Sequence, residues 1–115
     1  MEKIEILEGI LNSYPYPIVF VDNDYIIRYM NRNAQYHYYE ERGYKELIGK
    51  SLFECHNSEH SIEKIKNSWE QMKKNGKEVF VTITSRNQRV YMQGVKDYNG
   101  NWIGFIERFE LNLQK

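Results

Sequence analysis

The strongest constraint in this chain is a change of hydrophobic period at Gly76. Before it, Ile62, Ile65, Trp69 and Met72 recur at three and four residues, the spacing of one helix face. Ser58 stands where an N-cap belongs, and Asn75-Gly76 supplies the left-handed stop. After it comes a β-branched and aromatic run, Val79-Phe80-Val81-Thr82-Ile83-Thr84. A break at Arg86-Asn87-Gln88 separates it from a second run, Arg89 to Val95. Tyr98-Asn99-Gly100-Asn101 reads as a turn, and Trp102 to Phe109 as the last strand. One longer helix followed by three consecutive strands has no repeated crossover connection. It predicts an antiparallel sheet with the helices packed on one face, an α+β fold.

The first half fits the same plan. Ile4, Leu7, Ile10 and Leu11 lie at helical spacing among Glu and Lys, so residues 1–13 read as an amphipathic helix, closed by Tyr14-Pro15-Tyr16-Pro17. Ile18-Val19-Phe20-Val21, the turn Asp22-Asn23-Asp24 and Tyr25-Ile26-Ile27-Arg28-Tyr29-Met30 form a hairpin. Asn31 caps a short helix that carries Ala34, His37 and Tyr38 on one face. Gly43 and Gly49 bracket Tyr44-Lys45-Glu46-Leu47-Ile48, read as a turn or two of helix, and Ser51 to Cys55 makes a comparable short piece.

At 115 residues the chain holds one core. Lys+Arg and Asp+Glu are equal at 16 each, so no summed field attracts a polyanion and nucleic acid is not an expected partner. The single cysteine, Cys55, forms no internal disulfide and fits a reducing compartment, and cytoplasm is the expected location. No stretch is long and apolar enough to span a membrane. Ten tyrosines favour surfaces that are part apolar and part wet, as interfaces and ligand pockets are.

Three local phrases carry a family resemblance. Asp22-Asn23-Asp24-Tyr25-Ile26-Ile27-Arg28-Tyr29-Met30-Asn31 looks like the first hairpin of the PAS family leading into its first short helix. Gly43-Tyr44-Lys45-Glu46-Leu47-Ile48-Gly49-Lys50-Ser51-Leu52 is similar to that family's Gly-Tyr-x-x-Glu-Leu-Ile-Gly-x-x-Leu phrase. Asp97-Tyr98-Asn99-Gly100-Asn101-Trp102-Ile103-Gly104 resembles the turn before its last strand. The resemblance covers residues 14–110, with 1–13 as a cap or dimer contact and 111–115 as a tail. It implies a PAS-like five-stranded antiparallel sheet, short helices and one longer helix on one face, and a cavity between the two. It also implies that the outer sheet face and the N-terminal helix serve dimerisation.

The candidate ligand-binding residues follow from that cavity. Tyr36, His37 and Tyr38 belong to the first short helix, and Phe53, Cys55 and His56 to the second. Arg89 and Tyr91 alternate with Val90 and Met92, and if their face turns inward Arg89 is an anchor for an anion. Arg108, alternating with Phe105 and Phe109, is a second such anchor, and Phe80 and Ile106 complete the set. For each, the alternative is an ordinary solvated or packed position. Cys55, His56 and His60 are metal-ligand types, but a closed structural zinc site wants four, so a surface loop before a helix cap is the favoured reading and no metal site is assigned.

Haem is the named cofactor alternative, through His56, His60 or His37, although Lys64 stands where haem-binding PAS domains place their axial histidine. Flavin photochemistry is not expected, because Phe53-Glu54-Cys55-His56-Asn57 does not match the Asn-Cys-Arg-Phe-Leu-Gln phrase of that branch. No third group orients Cys55 and His56 for nucleophilic catalysis, so no catalytic residue is assigned and an enzyme is not expected. The expected function is a sensor that binds an unidentified small molecule and signals through a homodimer, with Ile4, Leu7, Ile10 and Leu11 as dimer contacts, or through a separate partner protein. A ligand-free interaction module is the alternative. The chain is expected to be either a standalone regulator or part of a larger signalling protein.

Overall fold

The structure, a computed structural model, describes residues 1–113. The elements in order are α1 (Lys3–Ser13), β1 (Ile18–Asp22), β2 (Ile27–Met30), α2 (Arg32–Gln35), α3 (Glu59–Asn75), β3 (Val79–Ile83), β4 (Gln88–Lys96) and β5 (Trp102–Leu111). A π-helical turn at Tyr36–Glu41 continues α2, and a 3-10 turn occupies Leu52–Glu54. The five strands form one antiparallel sheet in the order β2-β1-β5-β4-β3, so β5, last in sequence, is central in space.

The period change behaves as the sequence requires. Ser58 Oγ accepts from the Ser61 N–H at 3.1 Å, and Gly76 takes the left-handed conformation at φ 67°. Ile65, Trp69 and Met72 of α3 are buried against the inner sheet face, which presents Val90 and Met92 from β4 and Phe105 and Phe109 from β5. The packing is close at Gly94, where a Cβ would collide with the ends of Met72 and Trp102.

Two local expectations are corrected. Residues 44–47 are not helical, because the backbone after Leu47 hydrogen-bonds to the first hairpin instead. Gly49 N donates to Ile27 O at 2.7 Å, Ile27 N to Lys50 O at 2.9 Å and Leu52 N to Tyr25 O at 2.7 Å. The second hairpin strand starts at Ile27 rather than Tyr25. Asp22 Oδ1 accepts from both Asp24 N and Ile26 N, and Tyr25 takes a left-handed φ of 62°, which extends the turn.

At the other end, the expected tail 111–115 begins inside β5, which runs to Leu111, and residues 114–115 lie outside the described residues. Helix α1 buries no residue. Its C-terminal end is tied down: Asn31 Nδ2 donates to Leu11 O at 3.0 Å, and the Tyr14 hydroxyl donates to Phe109 O at 2.8 Å.

Candidate functional site

A cavity of about 370 Å3 opens between the π-turn, the start of α3 and the inner face of β3, β4 and β5. Its inner walls are Tyr38, Ile65, Val81, Val90 and Phe109, with His37 and Glu107 as the buried polar members and His56 half-buried beside them. Exposed lining residues, Arg42, His60, Lys64, Ser85 and Arg86, mark its mouth.

Backbone irregularities create much of this lining. A regular α-helix turns adjacent side chains about 100° apart, whereas the wider π-turn buries both His37 and Tyr38. The His37 ring packs edge-on against Tyr38 and Phe109, at centroid distances of 4.8 and 5.4 Å, and its Nδ1 lies 3.3 Å from Glu41 Oε1. A bulge between Phe80 and Thr82 of β3 lets Val81 and Thr82, neighbours in sequence, line the same cavity.

Glu107 is the unusual residue. It lies in mid-sheet, opposite Val19 on β1 and Met92 on β4, and is 4 % exposed. No hydrogen-bond partner reaches its Oε1. Removal from water without a compensating charge pushes the Glu107 carboxyl up to about 7. His56 has the complementary problem: its Nε2 is buried and unpartnered, and burial, aided by the Arg42 and His37 charges, holds the imidazole down to about 4. At neutral pH the site therefore holds a neutral His56 and a Glu107 divided between acid and carboxylate. Burial also lowers His37, against the opposing pull of Glu41.

The charged rim is not evenly satisfied. Arg86 pairs with Glu41 at 2.8 Å. Arg42 instead lies over the rings of Tyr38 and Tyr44, at 5.4 and 5.0 Å, and no carboxylate among the described residues pairs with it or with Lys64.

Of the residues singled out from sequence, the structure brings His37, Tyr38 and His56 together around the cavity. Tyr36 is exposed on the far side of the π-turn. Phe53 packs against Tyr25, and Cys55 turns into the core, its Sγ donating to Leu52 O at 3.3 Å. Phe80, Arg89, Tyr91, Ile106 and Arg108 lie outside the cavity, because the strand register turns Val90, Met92, Phe105, Glu107 and Phe109 inward. Arg89 stacks on Phe80 and Tyr91 there, and Arg108 forms a two-pronged ion pair with Glu78 at 2.7 and 2.6 Å. Neither charge is available to an anion in the cavity.

Cys55, His56 and His60 do not converge, and among the described residues no group of three or more His, Cys, Asp or Glu could hold a metal ion. Haem does not fit. At the packing density of a protein interior the cavity encloses on the order of one to two dozen non-hydrogen atoms, well short of a whole haem.

Sequence reasoning passed over Arg42, Lys64 as a rim cation, and Glu107. The signal for Glu107 was present: Phe105, Glu107 and Phe109 alternate on one strand, so whichever face buries the two rings buries the carboxyl too.

Comparison with known proteins places this geometry. A family model described as PAS domain matches residues 7–110. A C-terminal domain from Streptococcus mutans superposes with a TM-score of 0.70 at 24% identity, covering 93% of this chain and 83% of that one. A PAS domain from Colwellia psychrerythraea gives a TM-score of 0.64 at 13% identity, covering 99% of this chain and 100% of that one. The Aer2 receptor of Vibrio cholerae, described as a dual PAS-heme oxygen sensor, gives 0.58 at 15% identity, covering 85% and 94%. No match is found among the curated proteins.

Proposed function

The chain belongs to the PAS domain family, and on that premise we propose that it is a sensor whose cavity takes up a small molecule and whose N-terminal helix passes the signal to a second copy or to a partner protein. PAS domains are generally sensory, non-enzymatic modules. The observation that carries the ligand reading is a cavity of about 370 Å3 lined by His56 and Glu107, each of which keeps a buried side-chain atom, Nε2 and Oε1, without a hydrogen-bond partner. Each such atom costs on the order of 1 to 3 kcal/mol, a cost that a rotation of the side chain onto a bound polar group or water would relieve. The reading of the output rests on α1, where Ile4 and Ile10 are 68% and 62% exposed and Leu7 lies beside them. A short helix with an uncovered apolar stripe is marginal alone and gains by packing on another surface.

Native mass spectrometry on protein purified without denaturation tests the ligand reading. An added mass at one per chain, lost under denaturing conditions, supports it. The chain mass alone, with no thermal shift against a metabolite library, favours the second reading: a ligand-free interaction module using α1 and the apolar outer residues Phe80, Ile83 and Ile103.

A further inference from the structure

We propose that the molecule held in this cavity is a small organic acid, with its carboxylate at the mouth between Arg42 and Lys64, an apolar middle, and a hydroxyl or carbonyl group at the inner end against His56 and Glu107. The inference rests on the ligand-binding reading of the same cavity and names its chemistry.

Charge decides the outer end. Arg42, Lys64 and Arg86 all line the cavity with permanent positive charge, and only Arg86 has a carboxylate, that of Glu41. Arg42 is held rather than loose: it stacks on two tyrosine rings, and its Nη2 donates to the Tyr44 hydroxyl at 3.3 Å. A guanidinium fixed by ring faces keeps donors for a planar, two-oxygen acceptor, which is what a carboxylate offers. Lys64, one turn into α3, adds a second cation without an acidic partner among the described residues. A cationic ligand would meet three positive side chains at the entrance.

The inner end is decided by the unpartnered atoms. A neutral imidazole nitrogen and a carboxyl that is partly protonated near neutrality suit a group that both gives and takes a hydrogen bond, or a carbonyl that takes one from the acid form. A second carboxylate there would be repelled by the ionised form of Glu107. Between the ends, Ile65, Val81, Val90 and Phe109 offer apolar surface, with the hydroxyls of Ser61, Thr82 and Thr84 beside it. The volume suits a small molecule of on the order of one to two dozen non-hydrogen atoms.

The test is calorimetry and thermal shift with carboxylic acids of up to about two dozen non-hydrogen atoms bearing a distal hydroxyl or keto group, each beside its primary amide. Members of the acid set are expected to bind at least about tenfold more tightly than their amides. In the Arg42→Gln/Lys64→Gln double variant that preference should vanish. Both side chains are exposed, so circular dichroism melts should show the variant fold unchanged. Equal or tighter binding by the amides, or acid preference retained in the double variant, overturns the organic-acid assignment and leaves the ligand-binding reading standing. Binding by no member of either set, together with the bare chain mass in native spectra, overturns both.

Discussion

His56 and Glu107 line one cavity, and each keeps a buried side-chain atom without a hydrogen-bond partner there. The two titrate in opposite senses. Glu107 is raised from an ordinary 4.5 to about 7, so between those values the folded chain holds a proton that the unfolded chain has released, and stability falls as pH rises. His56 is lowered from 6.5 to about 4, so in that window the unfolded chain holds the extra proton, and stability falls as pH drops. From 4.5 to 6.5 the two slopes, each about 1.4 kcal/mol per pH unit, oppose one another.

Relative to the parent, Glu107→Gln should therefore leave a stability that climbs more steeply with pH between 4.5 and about 7, and His56→Gln one that climbs less or declines between about 4 and 6.5. Urea unfolding at a series of pH values measures both slopes. Two variants with the same slope as the parent would show that neither group is desolvated as described.

Burial pushes the Cys55 thiol up to about 12, and the side chain sits in the core with its Sγ on Leu52 O. The thiolate is the reactive form. Iodoacetamide at neutral pH should modify the native chain only as fast as the protein opens, and the urea-unfolded chain at the ordinary rate. Mass spectrometry follows both, and equal rates would contradict the placement.

Asn31 joins three elements. It accepts from Ile18 N and Ala34 N at 2.9 Å and donates to Leu11 O and Tyr16 O at 3.0 Å, all while fully buried. Asn31→Ala should cost about 3 kcal/mol or more in denaturant unfolding. Asn12→Ala, which removes one exposed bond to Arg32 N, should cost less than about 1 kcal/mol.

Asn31 also shows what the sequence makes legible. Its position as an N-cap follows from one residue type before a helical pattern, but its reach to Leu11 and Tyr16 is a tertiary fact. The sheet, the long helix and its Ser58 and Gly76 boundaries follow from period and punctuation alone. The cavity is harder, because its lining depends on two register faults, the π-turn at Tyr36–Glu41 and the bulge between Phe80 and Thr82, and neither has a composition signature. The inward face of β4 and β5 was legible by parity. Reading Arg89 and Arg108 as pocket anchors favoured their charge over the stronger demand that Val90, Met92, Phe105 and Phe109 be buried.

Helix α1 allows self-association to be tested apart from folding. Because it buries no residue within the chain, Leu7→Glu/Ile10→Glu should leave the unfolding midpoint within about 0.5 kcal/mol of the parent. Analytical ultracentrifugation should find the parent dimeric and the variant monomeric. A monomeric parent would remove α1 as a self-contact and leave it to a different partner.

The central claim is that the cavity accepts a small molecule. Thr82 lines it from the β3 bulge and is only half-buried, so Thr82→Trp should fill the space while the fold survives. Melting curves of parent and variant are compared with and without the small-molecule fraction of a cell extract. The account predicts that the extract raises the melting temperature of the parent and not that of Thr82→Trp. Equal shifts in both, or none in either, would contradict it.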